Sequence, residues 1–342
     1  MAKKGLETAG GAAAVDERKP AHLRFVGKVT HPRFWKRLAW SLFRWVIFSG
    51  LIYVLITPLL FIVSTSFMEY KDMMDPTTIY IPKNPTLGNY ELAFDTLGYF
   101  VAFRNSFFLS LILTAVQLFT CSLVGYGLAR YRFKEKGVIF GVIIMTLIIP
   151  IQTIIVPLYM FFKNFDLFGT LRIFFPEGIK MLDSQWPMIL PSIFGLGLKG
   201  GLFIYIFRQF YRGLPTELED SAYIDGCGPF ATYFRVMIPN AKPAIVTVTL
   251  FSFVWHWNDY FEPNIWLTDP DSYTLAQKLL ILRTQIIAKV GGTVHAGLAA
   301  DPSMYLPYLN AGIFMVMIPM LVFFIIGQKF FVENVERSGI VG

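Results

Sequence analysis

Four stretches of this chain contain no Asp, Glu, Lys or Arg: residues 45–68, 105–129, 137–162 and 302–328. A helix rising about 1.5 Å per residue needs about 20 apolar residues to cross the roughly 30 Å hydrocarbon core of a bilayer, and all four runs are long enough. In hydrocarbon the backbone must satisfy its own polar groups, so continuous runs of this kind fold as helices. Two weaker stretches complete the set: 184–207, interrupted only by Lys199, and 243–267, which carries Asp259 and Glu262. The sequence therefore predicts an all-α integral membrane protein with six transmembrane helices. A β-barrel is excluded because apolar and polar residues do not alternate. The first run is too long and too deep in the chain for a cleavable signal peptide.

Composition agrees. Only 15% of the 342 residues are charged, against about 25% in soluble domains. That excludes an ordinary cytosolic enzyme and a disordered chain. Cys121 and Cys227 are the only cysteines, so neither a disulfide framework nor a cysteine zinc site is implied. The net charge of +7 lies wholly in residues 1–44, which hold ten basic and three acidic groups; the rest holds twenty of each. With the N-terminus inside, the inner segments carry 20 Lys and Arg and the outer ones nine. The positive-inside bias then places both termini in the cytoplasm. The charge reads as an orientation device, not a nucleic-acid footprint. The domain reading is a basic N-terminal tail over residues 1–44, ending in an aromatic–basic interfacial stretch, and a six-helix domain over 45–342.

Proline recurs within the runs at positions 58, 150, 157, 187, 191 and 319, where each removes a backbone donor and bends a helix. The sequence Gly195-Leu-Gly197-Leu-Lys-Gly200 matches G-x-G-x-x-G but lies in a membrane run, without the strand–turn–helix context of a dinucleotide site. Its small residues, with Gly201 four places after Gly197, fit close helix packing. Lys199 beside them fits a pairing or snorkelling role. There is no Walker A loop. The four histidines are scattered, with no metal-ligand or catalytic signature.

The most informative segment, residues 213–239, lies between the fourth and fifth runs. Thr216 and Glu219 have capping-box spacing. Glu217, Glu219 and Asp220 suit the positive end of a helix dipole. Gly226 fits a helix C′ position and Pro229 the first position of a second helix, which Pro239 closes. The spacing predicts a short helix, a glycine stop and another helix, with acidic side chains open to a partner's arginines.

The same residues resemble the loop of ATP-binding-cassette importer permeases, of pattern E-A-A-x-x-x-G-x9-I-x-L-P. Here Asp220-Ser221-Ala222 is followed by Gly226, nine residues, then Val236-Met-Ile238-Pro239. Asp220 and Ser221 depart from the family's Glu and Ala, and Asp225-Gly226 matches its commoner D-G form. Trp257-Asn258-Asp259-Tyr260 is similar to the W-N-D-F of sugar-importer permeases. Asn89-Tyr90, residues 272–275 and residues 328–332 also look like that group, while the terminal Gly339-Ile-Val-Gly342 lacks its Lys. The resemblance spans roughly residues 45–342 and is greatest to the smaller permease of maltose and oligosaccharide importers.

That resemblance implies a type I importer permease fold and a bacterial inner-membrane location. It implies a coupling helix in the loop between helices four and five, with Glu217, Glu219, Asp220, Ser221, Ala222, Asp225, Gly226 and Pro239 transmitting ATPase closure. The implied partners are a second homologous permease, two ATPase subunits holding ATP and Mg, an extracellular solute-binding protein and membrane lipid. This chain itself would bind no cofactor and catalyse nothing. A non-sugar solute, such as a glycerophosphodiester or polyol derivative, and a stand-alone secondary transporter are the alternatives.

Sugars present hydroxyls and apolar C–H faces, which suit aromatic platforms beside amides and carboxylates. The fifth run has that chemistry in Trp255, Trp257, Asn258, Asp259 and Tyr260, and these are candidate pathway residues. Structural hydrogen bonding is the competing role. Leu275, Leu279, Leu282 and Ile286, near helical spacing, mark an outer helix at the cavity mouth or a packing scaffold.

Overall fold

The computed structural model describes residues 32–166, 170, 178–291 and 301–338. The basic tail up to residue 31 and the terminal Gly339–Gly342 stretch lie outside them. The described residues are helical, with no β-strand beyond two isolated bridges. The chain divides into two compact units, residues 1–61 and 62–342. The described part of the first is the helix α1, Pro32–Ser66, which continues into the second unit. The aromatic–basic stretch 34–45 runs into the apolar run without a break, because no Gly or Pro stands at the junction between residues 34 and 49.

The second unit holds α2 (Tyr70–Met74), α3 (Gly88–Leu97) and the long α4 (Tyr99–Arg130). Then come α5 (Lys136–Ile148), α6 (Ile155–Lys163), α7 (Trp186–Ile193) and α8 (Gly200–Gly213). The loop contributes α9 (Glu217–Ile224), α10 (Pro229–Thr232), a π-turn at Tyr233–Met237 and α11 (Ile238–Asn240). The last four are α12 (Lys242–Asn258), α13 (Phe261–Trp266), α14 (Leu275–Gly291) and α15 (Pro302–Ser338).

Three described helices, α1, α4 and α15, are unbroken and apolar enough to cross a membrane by themselves. The other three runs are segmented. Residues 137–162 break at Pro150, which leaves Ile149 extended and is followed by a 3₁₀ turn at Ile151–Thr153. Residues 184–207 break between α7 and α8, where Gly195 and Lys199 take φ of 74° and 58°. Residues 243–267 break at Asp259 and Tyr260. Hydropathy reports transfer into hydrocarbon, and proline, glycine and a capping carboxylate interrupt the helix without lowering it enough to show.

Packing centres on α4, which meets α7, α8 and α12. One core joins Tyr126, Phe203, Phe207, Tyr211, Tyr233 and Met237; another joins Leu97, Trp257, Leu275, Leu282 and Ile286. Helix α14 is thus packing scaffold along its buried Leu275, Leu282 and Ile286 edge. The close-packing role of the small residues also appears: a Cβ on Gly201 would lie 2.7 Å from the Ile143 carbonyl of α5. The Asn89 amide donates to the carbonyls of Ser66 and Met68 at 2.9 Å each, which occupies carbonyls left open at the end of α1.

Candidate functional site

Helix α9 ends as its glycine requires. Gly226 takes φ 80°. Its N–H donates to the Tyr223 carbonyl at 3.0 Å, and the Cys227 N–H donates to that of Ala222 at 2.9 Å. Those two bonds are a Schellman closure. Pro229 then opens α10 at its first position. Pro239 does not close the second helix at its own position. Its ring would clash with the carbonyl four residues back, and the chain widens instead: the Ile238 N–H reaches the Tyr233 carbonyl through a π-turn. The helix ends at Asn240, and the chain enters α12 at a 77° bend.

The start of α9 differs from its sequence pattern. Thr216 makes no side-chain cap, because its own backbone is helical at φ −71° and ψ −26°, and Glu219 turns inward. Its carboxylate accepts from the Tyr126 hydroxyl at 2.7 Å and lies 3.1 Å from Arg130 Nε, with both ion-pair side chains 10% exposed. Arg130 Nη2 also donates to the Leu214 carbonyl at 2.8 Å. A few ångströms away, Tyr233 donates to Ser122 Oγ at 3.0 Å, and Ser122 shares a 2.7 Å bond with Tyr211. Burial pushes the Tyr233 phenol above its ordinary pKa, so it stays a donor. Both halves of the loop are therefore tied to the end of α4. Glu219 is engaged within the chain and not open to a partner.

Ala222 is buried beside Glu219, whereas Glu217, Asp220, Ser221, Asp225, Gly226 and Pro239 are exposed. The Ser221 hydroxyl donates to the Glu217 carbonyl at 2.7 Å. The loop also exposes Tyr223, Ile224, Phe230 and Phe234, with Ile224 86% and Phe230 72% exposed. Large apolar side chains exposed within one short loop mark an interaction surface.

The pathway candidates of the fifth run do not converge on one space. Trp257 is 2% exposed and packs edge-on against Phe103 at 5.7 Å. Asn258 donates to the Val254 carbonyl of its own helix at 2.9 Å. Asp259 Oδ1 accepts the Phe261 N–H at 2.9 Å and so starts α13. Tyr260 is exposed. Trp255 is partly buried between Phe203 and Phe251, with Lys199 Nζ 5.7 Å from its ring centroid. That contact gives Lys199 a cation–π partner.

Sequence reasoning missed a buried polar cluster that α12 forms through Ser252 and His256. Gln117 Nε2 donates to the Leu198 carbonyl at 2.9 Å, which ties α4 to the break between α7 and α8. Gln117 Oε1 accepts from Ser252 at 2.8 Å and lies 3.1 Å from His256 Nε2. Only the polar residues within apolar runs hinted at it, since such residues normally face other helices.

These features define an all-helical, multi-pass membrane protein with an anchored helix–turn–helix loop that exposes large apolar side chains. The chain belongs to the family described as binding-protein-dependent transport system inner membrane components, which matches residues 121–337. It is 27% identical to the arabinooligosaccharides transport system permease protein AraQ of Halalkalibacterium halodurans, over 90% of this chain and 100% of that one. It is 29% identical to the protein of the same name from Bacillus subtilis, over 76% of this chain and 81% of that one. The fold matches a chain in the crystal structure of a bacterial ABC transporter involved in the import of the acidic polysaccharide alginate. That match has a TM-score of 0.67 and 19% identity, and covers 86% of this chain and 98% of the other.

Proposed function

We propose that this chain is one permease of an ATP-driven carbohydrate importer, with an oligosaccharide as its cargo. Two of its relatives are named for transport of arabinooligosaccharides. The observation that carries the mechanism is the loop: exposed Tyr223, Ile224, Phe230 and Phe234 backed by the inward tie of Glu219 to Arg130 and Tyr126. Such an element moves as a unit with α4 when a partner pulls on it. On this reading the segmented runs 137–162, 184–207 and 243–267 each cross the membrane, for six spans with both termini in the cytoplasm.

The partners are a second permease that completes the pathway, two ATPase subunits that hold ATP and Mg, and an extracellular binding protein that delivers the sugar. Glu217, Asp220, Ser221, Asp225 and Gly226 meet the ATPase, while Glu219, Ala222 and Pro239 set the loop's attachment. Sugar passes along the α12 side. Trp255 offers it an aromatic face, Asn258, Asp259 and Tyr260 offer polar groups, and Trp257 shapes the wall from within the core.

The test is isolation of the tagged chain with its neighbours, followed by reconstitution in vesicles. An ATPase that co-purifies, with sugar uptake that requires ATP, supports the reading. Uptake by this chain alone overturns it.

A further inference from the structure

A second feature lies apart from the loop, where α5 begins and α8 ends. Arg132, Lys134 and Lys136 lead into α5, and Arg208 and Arg212 lie on the last turns of α8. Glu135 is the one acidic residue in the 130–136 segment. None of these five cations forms an ion pair among the described residues. The Arg208 guanidinium lies over the Phe140 ring, 3.8 Å from its centroid, and its buried Nε has no hydrogen-bond partner among the described residues. Lys136 Nζ donates to the Tyr131 carbonyl at 2.9 Å and the Ala129 carbonyl at 3.3 Å, one helical turn before the Phe140 that carries Arg208. Burial, and then the charges of Arg208, Arg212 and Arg132, hold the Lys136 pKa below its ordinary value. The cations therefore repel one another, and no carboxylate among the described residues pairs with them.

The helix that rises from this cluster has an unusual surface. No residue of α5 is buried, and Val138, Val142 and Met145 are 71%, 56% and 61% exposed. A cationic group with no ion pair among the described residues thus stands at the foot of an exposed apolar strip. A phospholipid of net negative charge has the matching two-part chemistry: a phosphate for the cations and acyl chains for the strip. A soluble anion would satisfy the first part only.

We infer that Lys136, Arg208 and Arg212 bind the phosphate of an anionic phospholipid whose chains lie along α5. The occupant follows from charge complementarity and from the apolar surface continuous with it. Phe140 acts as a positioning residue, because its ring holds the Arg208 guanidinium flat. A bound lipid brackets α5 and α8, the helices that already meet at Gly201 and Ile143.

The experiment is native mass spectrometry of the delipidated full transporter with added phosphatidylglycerol, phosphatidylcholine or sodium phosphate. The wild-type protein is expected to retain phosphatidylglycerol at concentrations where phosphatidylcholine is lost. Arg208→Gln/Arg212→Gln should weaken that retention by about tenfold or more. Arg212→Gln alone changes an exposed side chain and keeps the test valid if the double variant misfolds; it should show a smaller loss in the same direction. Lys71→Gln, far along the chain, should retain phosphatidylglycerol like the wild type. Equal retention by wild type and the arginine variants overturns the assignment, as does equal retention of the two lipids. Displacement of phosphatidylglycerol by an equal concentration of sodium phosphate overturns it in favour of a soluble anion. Loss of a partner subunit from the arginine variants with lipid retention unchanged overturns it in favour of a protein interface.

Discussion

Arg130, the last residue of α4, and Glu219, in the first turn of α9, form a 3.1 Å ion pair that is almost closed to solvent. Removing one member of such a pair leaves the other charge desolvated and unpaired, at a cost of about 3 kcal/mol. Glu219→Ala is therefore expected to lower the melting temperature of the purified transporter. It should also reduce sugar-stimulated ATPase activity more than it reduces membrane insertion. Arg130→Met/Glu219→Leu, which removes both charges, should lose less than the two single variants added together. Additive losses in that cycle would show that the pair does not join loop to helix.

Gly226 is constrained by its backbone alone. Its φ is 80°, and a Cβ built there meets no heavy atom within 4 Å. A side chain thus costs only the left-handed conformation, about 1–2 kcal/mol for an ordinary residue. Asn tolerates that region better. Gly226→Val should expose the loop to proteolysis and uncouple ATP hydrolysis from sugar, while Gly226→Asn keeps most of the coupling. Equal damage from Asn and Val would mean that a partner occupies the space beside Gly226, and the backbone account would fail.

The comparison of two capping patterns shows what the sequence exposes and what it hides. The long helices were legible because hydrocarbon burial depends on composition summed over a run. The stop at Gly226 and the restart at Pro229 were legible because both are properties of single residues. Thr216-x-x-Glu219 had capping-box spacing and forms no box, since Glu219 finds a cation and a phenol that are distant in sequence. Thr274-x-x-Gln277 forms the reciprocal box instead: the Thr274 N–H donates to Gln277 Oε1 at 3.0 Å and the Gln277 N–H to Thr274 Oγ1 at 3.3 Å. Gln277 Nε2 also reaches the Leu267 carbonyl at 3.2 Å. A local pattern names the groups that can bond, and tertiary neighbours decide which do. The same holds for Asp259, whose cap on α13 is local, and for Gln117, whose partners come from α12 and from the turn between α7 and α8.

A pair of variants separates those two patterns. Gln277→Ala leaves the buried Thr274 N–H and Leu267 carbonyl without partners, so it should destabilise the transporter by about 1–3 kcal/mol. Thr216→Ala removes no cap and should stay within about 0.5 kcal/mol of the wild type. Thermal unfolding in one detergent reads both. A larger loss for Thr216→Ala would reverse the assignment of the caps.

Asp72 gives the connection after α1 a dependence on acid. Burial raises its pKa, but the backbone and side-chain N–H groups of Asn84 bond its two oxygens at 2.8 and 2.9 Å, and the net shift is downward. A carboxylate depressed in the folded state contributes stability at pH above the ordinary carboxylate range of about 4 and loses it as pH falls through the folded value. Wild type should therefore lose more stability than Asp72→Asn between neutral and acidic pH, with the wild type the more stable at neutral pH. Parallel melting curves across that range would remove Asp72 as the source.

Two glycines meet neighbours at the same distance but with different consequences. A Cβ on Gly200 would lie 2.4 Å from the Gly195 carbonyl oxygen, and one on Gly327 would lie 2.4 Å from Leu250 Cδ2. The first contact is backbone, within the turn between α7 and α8, where Gly195 is already held at positive φ. The second is the free end of a partly buried side chain, which moves by changing rotamer. Overpacking costs about 1–3 kcal/mol when nothing gives way. Gly200→Ala should approach the upper end of that range, and Gly327→Ala should fall below the lower. Because the Gln117–Leu198 bond closes the same turn, Gly200→Ala should also weaken the effect of Gln117→Leu when the two are combined. Equal melting temperatures for the two alanine variants would show that the α7–α8 turn relaxes freely. The close approach would then not be what requires glycine at position 200.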